Sequence, residues 1–484
     1  MDETQKKPGK FGTFVNEKIL PPVMKFVNTK AITALKDGLV YSLPMIIIGS
    51  VFLILANIPI PAVAKVITDS GWAAFFSQAN NTTFGIMAMW SALGIGYVYA
   101  RNENVEALPA GITALASFLL LQTTQIANPL VGAMGKAGSG ITVGSTTMTG
   151  TQVASAIDKL PDALQSFVTS PVNGVFNMTW LGGQGMIAAI LIGLLVGWGY
   201  TAMIKAGWKI TLPEQVPANV ANQFSAMIPA FIIILVSMLI YALLSITAHT
   251  DLLQLIYKWL QTPLQGLSDS LGGALVIAFL IPFFWFFGVH GGLIMGAITS
   301  GILIPNTADN AALFAKGQLT IAQGAHVVTN EFYNNFLNLT GSGITVGLII
   351  FTLVAAKSVQ FKSIGKIEAV PGLFNINEPF LFGLPLVMNP FLAIPFFLTP
   401  VVVALTTYLV IATGIIPPLN GVAAPWTTPA IVSGFLIGGW KMMVWQIITL
   451  LESVLIYWPF AKKYDNILYK QEQERAKQEA AGQN

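Results

Sequence analysis

Charged side chains are scarce in this chain of 484 residues, since only 9% are Asp, Glu, Lys or Arg while 54% are apolar. A soluble globular protein has roughly 25% charged residues, so the composition excludes an ordinary soluble enzyme. It also excludes a disordered chain, which needs low hydrophobicity and high charge. The net charge of +3 is too small for the broad basic face of a nucleic-acid-binding protein.

Cysteine is absent and histidine is rare, with only three in the chain. The absence of cysteine excludes disulfides, thiolate metal sites and a cysteine nucleophile. His249, His290 and His326 stand too far apart in the sequence for a local metal motif, and no pair of acidic residues has metal-ligand spacing. We therefore expect neither a metal nor a cofactor.

The few charges are concentrated at the two ends of the chain. Residues 1–37 hold eleven of the 45 charged residues and residues 461–484 hold nine, which leaves 25 for the 423 residues between them. A bilayer span needs roughly 20 consecutive apolar residues, and a nearly uncharged body of this length accommodates several. The first apolar run, 38–58, is too long for the core of a signal peptide. The sequence therefore predicts an all-α polytopic membrane protein.

About ten transmembrane helices are expected, together with re-entrant hairpins. Two stretches are ambiguous: the apolar piece 291–304 is too short to cross alone, and 371–390 is interrupted by four prolines. Such segments are typical of re-entrant helices, which are tolerated at membrane depth only where protein or a water-filled cavity covers them. The predicted spans are 38–58, 82–100, 107–124, 182–204, 224–248, 271–289, 343–356, 391–413 and 431–458.

Basic residues indicate the orientation, because cytoplasmic loops are enriched in Lys and Arg. Seven basic residues fall in 1–37 and five in 461–484, so we expect both termini in the cytoplasm and an even number of crossings. The polar stretch 125–178 then lies outside. It contains the heptapeptide GSGITVG at 138–144, which recurs at 341–347. Because the flanking residues differ, we interpret the recurrence as coincidence, or at most a short shared turn.

Glu378 is the most informative charged residue of the apolar body. A charge near the bilayer centre costs at least about 2.5 kcal/mol, and this one stands beside Asn375 and Asn377 in the sequence NINEP. Pro379 removes a backbone donor and disfavours helix at the residue before it. A broken backbone with clustered hydrogen-bonding side chains suits a polyhydroxylated ligand. The alternative is a structural carboxylate that caps a helix end.

His290 is the second candidate, because it ends an aromatic run in the sequence FFWFFGVHGG. Gly288 and Gly291 near it allow the backbone to approach a ligand or to turn sharply. A buried structural histidine explains the position equally well. Trp285 and Trp426 are candidates for stacking on a sugar ring, although a tryptophan in a membrane protein more often lies at the lipid interface.

Four segments of the chain resemble the enzyme IIC sugar permeases of the bacterial phosphoenolpyruvate-dependent phosphotransferase system. Within these permeases, the similarity is to the lactose, cellobiose and diacetylchitobiose family. The specific segments are FWFFGVHG (284–291) and NINEPFLFGLPLVMNP (375–390), and KDGLVYSLPMIIIGSVFLIL (36–55) and LPEQVPANVANQFSAMIP (212–229) support them. The resemblance runs from about residue 12 to about residue 460.

The resemblance implies a homodimer of ten-span subunits, each built of two halves. Residues 38–205 correspond to a scaffold half that makes the dimer contact, and residues 206–460 to a transport half whose two re-entrant hairpins enclose the sugar. An N-terminal cytoplasmic or interfacial segment (1–37) and a charged cytoplasmic tail (461–484) flank them. Transport in the family resembles an elevator-type movement of the transport half against the scaffold.

The resemblance also implies a disaccharide permease of the bacterial cytoplasmic membrane, whose sugar is phosphorylated at its 6-hydroxyl as it is delivered. The donor is a phosphocysteine on a soluble IIB protein, which IIA phosphorylates in turn. Because this chain has no cysteine and only 24 residues after residue 460, we expect no fused IIB domain and a separate IIB protein.

The matching motifs imply roles for the candidate residues. Glu378 and His290 become the pair nearest the reacting hydroxyl, with Glu378 as hydrogen-bond acceptor and general base and His290 orienting the sugar. The side chains of Asn375 and Asn377 hold hydroxyls or brace the hairpin. The remaining candidates for sugar contact are Trp285, Trp426, Gly288 and Gly291.

Two other functions remain open from the sequence. A secondary sugar transporter driven by a proton or sodium gradient would also use a buried carboxylate and a histidine, and its energy source distinguishes it. An intramembrane enzyme such as a lipid-linked glycosyltransferase would need a cluster of carboxylates for a divalent metal, and the sequence has no such cluster. Among sugars, a cellobiose-type β-glucoside is favoured on family grounds, ahead of lactose and diacetylchitobiose.

Overall fold

The computed structural model describes most of the chain after residue 28. Within that part, six helices are long and apolar enough to cross a bilayer, and two further helix pairs, bent by 41° and 70°, raise the number to eight. The expected helical polytopic membrane protein is confirmed. The described residues are 17, 18, 21, 22, 25, 29–58, 61–126, 128, 140–143, 146–213, 215–287, 290–384, 386 and 389–482.

The helix count differs from the expected ten spans because some helices are short. Ala107–Leu120 has 14 residues and Val346–Val354 has nine, fewer than the roughly 20 that a crossing needs. Most of the N-terminal segment 1–37, including Gly9 to Asn16, lies outside the described residues.

The described residues of the first half of the chain form ten α-helices. Thr29 caps the first of them, since its hydroxyl accepts a hydrogen bond from the Ile32 amide. The helices are α1 (Lys30–Ala56), α2 (Pro61–Asp69), α3 (Trp72–Asn81), α4 (Met87–Asn102), α5 (Ala107–Leu120), α6 (Gly150–Ile157), α7 (Asp162–Thr169), α8 (Met178–Leu181), α9 (Met186–Lys205) and α10 (Ala218–Ala248).

Helix α4 is the centre of this half, because α1, α5 and α9 all pack against it. Glycines make the close approach possible. A Cβ on Gly94 would lie 2.6 Å from the Gly38 carbonyl oxygen, and one on Gly193 would lie 3.0 Å from the Ala92 carbonyl oxygen. Small residues are the usual means by which membrane helices bring their backbones together, so these contacts hold the first half as one packed bundle.

The second half contains helices of very unequal length. Its core is a large cluster that includes Phe332, Phe336, Phe380, Phe396 and Tyr457, all buried. The helices are α11 (Leu252–Ile256), α12 (Thr262–Ser268), α13 (Leu271–Phe286), α14 (Gly291–Ala315), α15 (Asn330–Phe332), α16 (Val346–Val354), α17 (Val359–Leu373), α18 (Glu378–Gly383), α19 (Pro390–Ala412) and α20 (Val432–Gly482), with π-helical turns at Tyr257–Gln261 and Tyr333–Leu337.

Helix α14 corrects the expectation that the apolar piece 291–304 is too short to cross. The helix continues through Pro305 for 25 residues in all and is a candidate span. Its polar second part is accommodated because the amides face protein: Asn306 Nδ2 donates to the Val328 carbonyl at 2.7 Å, and Asn310 Nδ2 to the His326 carbonyl at 2.9 Å. Polar groups satisfied inside the protein do not meet lipid.

The part of the polar stretch 125–178 that the structure describes adds four short strands to the otherwise helical fold. Strands β1 (Gln125–Ile126) and β4 (Val172–Asn173) pair antiparallel, as do β2 (Gly140–Val143) and β3 (Thr146–Thr149). The first GSGITVG copy contributes the strand β2, whereas the second spans the turn before α16 and the first two residues of that helix. The described residues of the two copies therefore differ in structure, and the interpretation of the recurrence as coincidence stays a prediction.

The charged end of α20 anchors the start of α17. The Asp465 carboxylate accepts hydrogen bonds from the backbone amides of Lys357 and Ser358 at 2.8 and 2.9 Å, and Glu472 accepts one from the Val359 amide at 2.9 Å. These carboxylates satisfy amides that a helix N-terminus leaves free. The tail therefore fixes the helix that leads to Glu378.

Glu103 joins three helices at one end of the first half. It follows α4 and lies 2.7 Å from Lys30 at the start of α1 and 2.5 Å from Lys205 at the end of α9. Hydrogen bonds from Lys205 and Lys30 hold the pKa of Glu103 below its ordinary value. The polar stretch 125–178 and the segment before α9 lie at the opposite end of these helices.

Helix α9 offers a direct test of the close packing. A Cβ on Gly197 would lie 2.7 Å from Tyr99 Cβ, whereas Gly199, two residues later, has nothing within 4 Å. Gly197→Leu should lower the free energy of unfolding by about 1–3 kcal/mol, the usual cost of overpacking, and Gly199→Leu should change it little. Thermal unfolding of both purified variants in detergent measures the difference. Equal stability of the two variants would contradict the packing described.

Candidate functional site

The NINEP segment forms a break between two helices. Helix α17 ends at Leu373 and α18 begins at Glu378. Between them Asn375 adopts the left-handed conformation, with φ +64°, which asparagine tolerates better than most residues because its side chain hydrogen-bonds locally. Asn375 and Asn377 are both buried, so each amide must find partners within the protein.

Asn375 ties this break to two other segments of the chain. Its Oδ1 accepts a hydrogen bond from the Thr340 amide at 2.6 Å, and its Nδ2 donates to the carbonyls of Trp426 and Thr428 at 2.5 and 3.0 Å. Both amide protons of Asn375 are therefore used within the protein. In this conformation the side chain braces the hairpin, and the backbone of Trp426 is part of that bracing.

Asn377 fastens the turn that carries the second GSGITVG copy. Its Nδ2 donates to the Ser342 carbonyl at 2.7 Å and to Thr345 Oγ1 at 3.0 Å. Gly341, at φ +90°, lies directly against it, since a Cβ on this glycine would overlap the Asn377 side chain. The glycine is required here both for the left-handed backbone and for the close approach.

Glu378 and His290 are brought together by the fold. Glu378 Oε1 lies 3.8 Å from His290 Nε2, and their side chains are 42% and 43% exposed, so the pair faces open space. The second carboxylate oxygen, Oε2, is buried without a hydrogen-bond partner among the described residues. A buried polar atom left unsatisfied costs about 1–3 kcal/mol, which a ligand hydroxyl at this position would offset.

His290 also begins helix α14. Its Nδ1 accepts a hydrogen bond from the Leu293 amide at 3.1 Å. In the neutral ring, the proton is therefore on Nε2, the nitrogen that faces Glu378. Gly291 follows at a point where the chain touches α13, because a Cβ there would overlap the Ile281 carbonyl. The histidine thus presents one donor to the open space with a fixed ring orientation.

The two tryptophans take different positions. The ring of Trp285 lies 4.3 Å from that of His290, centroid to centroid, and its side chain is buried with Nε1 unpaired among the described residues. The side chain of Trp426 is 54% exposed. Gly288 lies outside the described residues. Their roles toward a sugar, like those of Asn375 and Asn377, stay predictions.

Glu368 is a residue of the site that the sequence analysis missed. It is fully buried, accepts a hydrogen bond from the Phe380 amide at 3.3 Å, and is close enough to interact electrostatically with Glu378. Its neighbours on the buried face of α17 are Phe361, Gly365 and Gly372. These positions are spaced three or four residues apart, as on one face of a helix. The sequence could therefore have indicated that the Glu368 carboxylate lies on the same buried face.

The arrangement suits the binding of a hydroxylated molecule and the removal of one proton. A carboxylate and an Nε2–H donor face one space, and the buried Glu378 Oε2 and Trp285 Nε1 beside them are unpaired among the described residues. Carboxylate and imidazole are the usual general bases. The exposed ring of Phe382, whose centroid lies 6.2 Å from that of the buried Trp285, adds apolar surface for the C–H faces of a sugar.

Comparisons with known proteins agree on one family. The family model described as "Phosphotransferase system, EIIC" matches residues 36–400. The oligo-beta-mannoside-specific EIIC component of Bacillus subtilis (strain 168) is 32% identical over 478 residues, with 97% of each chain covered. The cellobiose-specific EIIC component of Geobacillus stearothermophilus is 32% identical over 470 residues, with 96% of each chain covered.

A solved structure shares the fold over nearly the whole length. It is the crystal structure of the transporter ChbC, the IIC component from the N,N'-diacetylchitobiose-specific phosphotransferase system, which is 30% identical in sequence. The TM-score is 0.82, and the match covers 95% of this chain and 99% of that chain. The resemblance drawn from the sequence motifs is confirmed at the level of family and fold.

Two substitutions at His290 separate its capping role from its Nε2 group. His290→Asn keeps a side-chain acceptor for the Leu293 amide and should leave stability nearly unchanged, whereas His290→Leu removes the cap and should cost about 0.5–2 kcal/mol. Thermal unfolding in detergent measures both. A loss of stability as large in the Asn variant as in the Leu variant would show that the cap described here is not what α14 depends on.

Proposed function

The chain belongs to the EIIC family of the phosphotransferase system, and on that premise we propose that it carries a disaccharide across the bacterial cytoplasmic membrane and delivers it for phosphorylation. As the membrane IIC component of a sugar phosphotransferase system, it works with IIB and IIA. The observation that carries the proposal is the Glu378–His290 pair, 3.8 Å apart and open to a ligand.

We favour a β-linked disaccharide of the cellobiose type as the sugar. Support comes from relatives of similar identity whose names specify cellobiose, oligo-beta-mannoside and lichenan. Lactose and N,N'-diacetylchitobiose are the next candidates, through a lactose-specific relative at 31% identity and the ChbC structure. Equilibrium binding of labelled members of this panel to the purified protein ranks them, and tightest binding by lactose would overturn the preference.

The proposed reaction is the transfer of one phosphoryl group. The 6-hydroxyl oxygen of the sugar attacks the phosphorus of the phosphocysteine on IIB, so that an O–P bond forms, the S–P bond breaks and the thiolate leaves. Glu378 accepts the hydroxyl proton as the bond forms. Phosphoryl transfer depends mainly on positioning and electrostatics, and His290 Nε2–H contributes by holding the same hydroxyl or its neighbour.

The other candidates take supporting roles in this proposal. Asn375 and Asn377 brace the hairpin rather than hold the sugar, because their amide donors are already bonded to backbone and to Thr345. Trp285 and Trp426 contact the sugar rings. Gly291 lets the chain turn tightly at His290, and Gly288 is the remaining backbone candidate.

The orientation follows from the placement of basic residues. Lys30 and Lys205 meet at Glu103, and Lys357, with Lys362 and Lys366 after it, stands at the start of α17. We infer that this end of the molecule is cytoplasmic, with both termini, because basic residues are enriched there. The segment leading to Glu378 then starts on the side where phosphorylated IIB approaches.

A homodimer with an elevator-type movement completes the proposal. Helix α10 packs against α5 and α9 and exposes large apolar side chains, among them Phe231 and Ile246. This packing favours a scaffold that includes α10, and we therefore propose that the scaffold extends to residue 248, beyond the expected boundary at 205. The exposed face of α10 is our candidate for the dimer contact.

The energy source tests the function directly. Right-side-out vesicles loaded with phosphoenolpyruvate and the soluble phosphotransferase proteins should accumulate sugar phosphate, and an ionophore should not stop them, because the driving force is phosphoryl transfer. Labelled cellobiose uptake, with and without the ionophore, measures this. Uptake that needs no phosphoenolpyruvate and is abolished by the ionophore would establish a gradient-driven carrier instead.

Glu378→Gln tests the general base. Glutamine keeps the shape of the side chain but takes no proton, so phosphorylation should fall about 10²–10⁴-fold while sugar binding largely persists. A matched control is Glu452→Gln on α20, where the carboxylate accepts a hydrogen bond from Thr406 at 3.2 Å. The measurements are sugar phosphate formation and equilibrium binding, and full activity of Glu378→Gln would refute the role.

A further inference from the structure

A second cavity of about 680 Å³ lies at the other end of α14 from His290. Asp309 in its wall follows His290 by 19 residues, which at about 1.5 Å per residue corresponds to about 28 Å along the helix. It is therefore separate from the Glu378 site. We name it the outer pocket, and its characteristic lining residues are Asn80, Gly183, Tyr257, Gln265, Asp309 and His326.

The outer pocket lies between the two halves of the chain. Its walls come from the end of α3 and the segment before α9 on one side, and from α12, the end of α14 and the loop that follows on the other. Glu103, Lys30 and Lys205 mark the opposite end of the first half. The pocket thus opens on the side that the proposed orientation makes external.

One wall of the pocket carries a buried polar group without a partner. Asn80 is 9% exposed, and its Oδ1 has no hydrogen-bond partner among the described residues. An unsatisfied buried acceptor costs about 1–3 kcal/mol, and structures rarely retain one without a reason. A ligand hydroxyl supplies a donor when the Asn80 amide turns toward the pocket, since in this conformation less than 1 Å² of Oδ1 is exposed.

The charges around the pocket balance. His326 donates to Asp269 at 3.0 Å and pairs with Asp309 at 3.4 Å. Burial lowers the pKa of its imidazole, but hydrogen bonds to the two carboxylates outweigh this effect and raise the pKa of His326 to about 9. Lys316 also lines the pocket and contributes a second positive charge. Two cations and two anions leave no net charge, which favours a neutral ligand over an ion or a phosphate.

The remaining lining also suits a sugar. The Gln265 amide donates to Asp309 Oδ2 at 3.1 Å, and Tyr257, in a π-helical turn, presents an aromatic ring held edge-on by Trp180 at 5.4 Å. Amides, a carboxylate and an aromatic ring around a cavity of this size are the usual features of a site for a small hydroxylated molecule.

We propose that the outer pocket is a second sugar site, which receives the oligosaccharide from outside before the transport half carries it to Glu378. The inference rests on the proposed function for the class of ligand and for the side of the membrane. It adds a subsite at the junction of the halves, where Asn80 and Asp309 contact the sugar.

Cysteine protection tests this proposal, because the chain has no cysteine of its own. Gln323 and Gln318 are exposed glutamines of one loop, and only Gln323 lines the pocket. Single variants Gln323→Cys and Gln318→Cys are labelled in intact cells with a membrane-impermeant maleimide. The probe is the disaccharide that gives sugar phosphate accumulation, chosen from cellobiose, lactose and N,N'-diacetylchitobiose.

At a sugar concentration of about ten times its dissociation constant, labelling of Gln323→Cys should slow about tenfold by mass action. The labelling rate of Gln318→Cys should not change. Adding Asn80→Leu, which removes the amide but keeps a similar volume, should abolish the protection. Equal rates with and without sugar at Gln323→Cys would overturn the proposal. Labelling of neither cysteine from outside would overturn it too, because the loop would then face the cytoplasm.

A double variant separates direct protection from a conformational effect. His290→Ala with Glu378→Ala removes the reacting pair, and protection of Gln323→Cys should persist in it. Protection that disappears in this background comes from movement driven by the inner site and would refute a second site. Phosphoenolpyruvate-dependent accumulation of sugar phosphate is measured separately in the wild type. A wrong proposed function is thereby distinguished from a wrong assignment of the outer pocket as a sugar site.

Discussion

The hydrogen bonds of two asparagine amides hold together the irregular backbone on which the candidate site is built. Asn375 joins the NINEP break to the Thr340 turn and to the Trp426 segment, and Asn377 joins it to the Ser342 turn. None of these segments is helical at the points of contact, so their backbone groups lack the usual helical partners. In a bilayer such groups must be satisfied inside the protein, and the two amides meet that requirement.

This bracing determines which groups are left for a ligand. Because the amide donors are bonded inside the protein, the unpaired polar atoms of the site, among the residues that the structure describes, belong to Glu378, His290, Trp285 and Glu368. His290 is itself fixed by its role as the cap of α14, and Glu378 by the start of α18 beside the buried Glu368. The site is thus preorganised by backbone interactions, and only a small set of side-chain atoms faces open space.

The two halves of the chain achieve stability by different means. The first half relies on small residues that let helices α1, α4 and α9 approach closely, with few polar contacts in between. The second half contains breaks, π-turns and buried polar side chains, many of them bonded to a specific partner, as Asp465 is to the amides at the start of α17. The outer pocket lies where these two kinds of packing meet, and a regular interface there would leave no cavity.

The sequence by itself determined the membrane class and the family, and it singled out Glu378 and His290 as candidates, because charged side chains are so scarce in the apolar body that each one is informative. It also located the broken segment through its prolines. The full length of α14 and the bracing role of Asn375 and Asn377 could be seen only in the tertiary structure. Polar residues after an apolar run suggest that a helix ends there, unless their hydrogen-bond partners elsewhere in the chain are known. The pocket that contains Asn80, Asp309 and His326 was hidden for the same reason: its residues come from remote parts of the chain, and only folding brings them together.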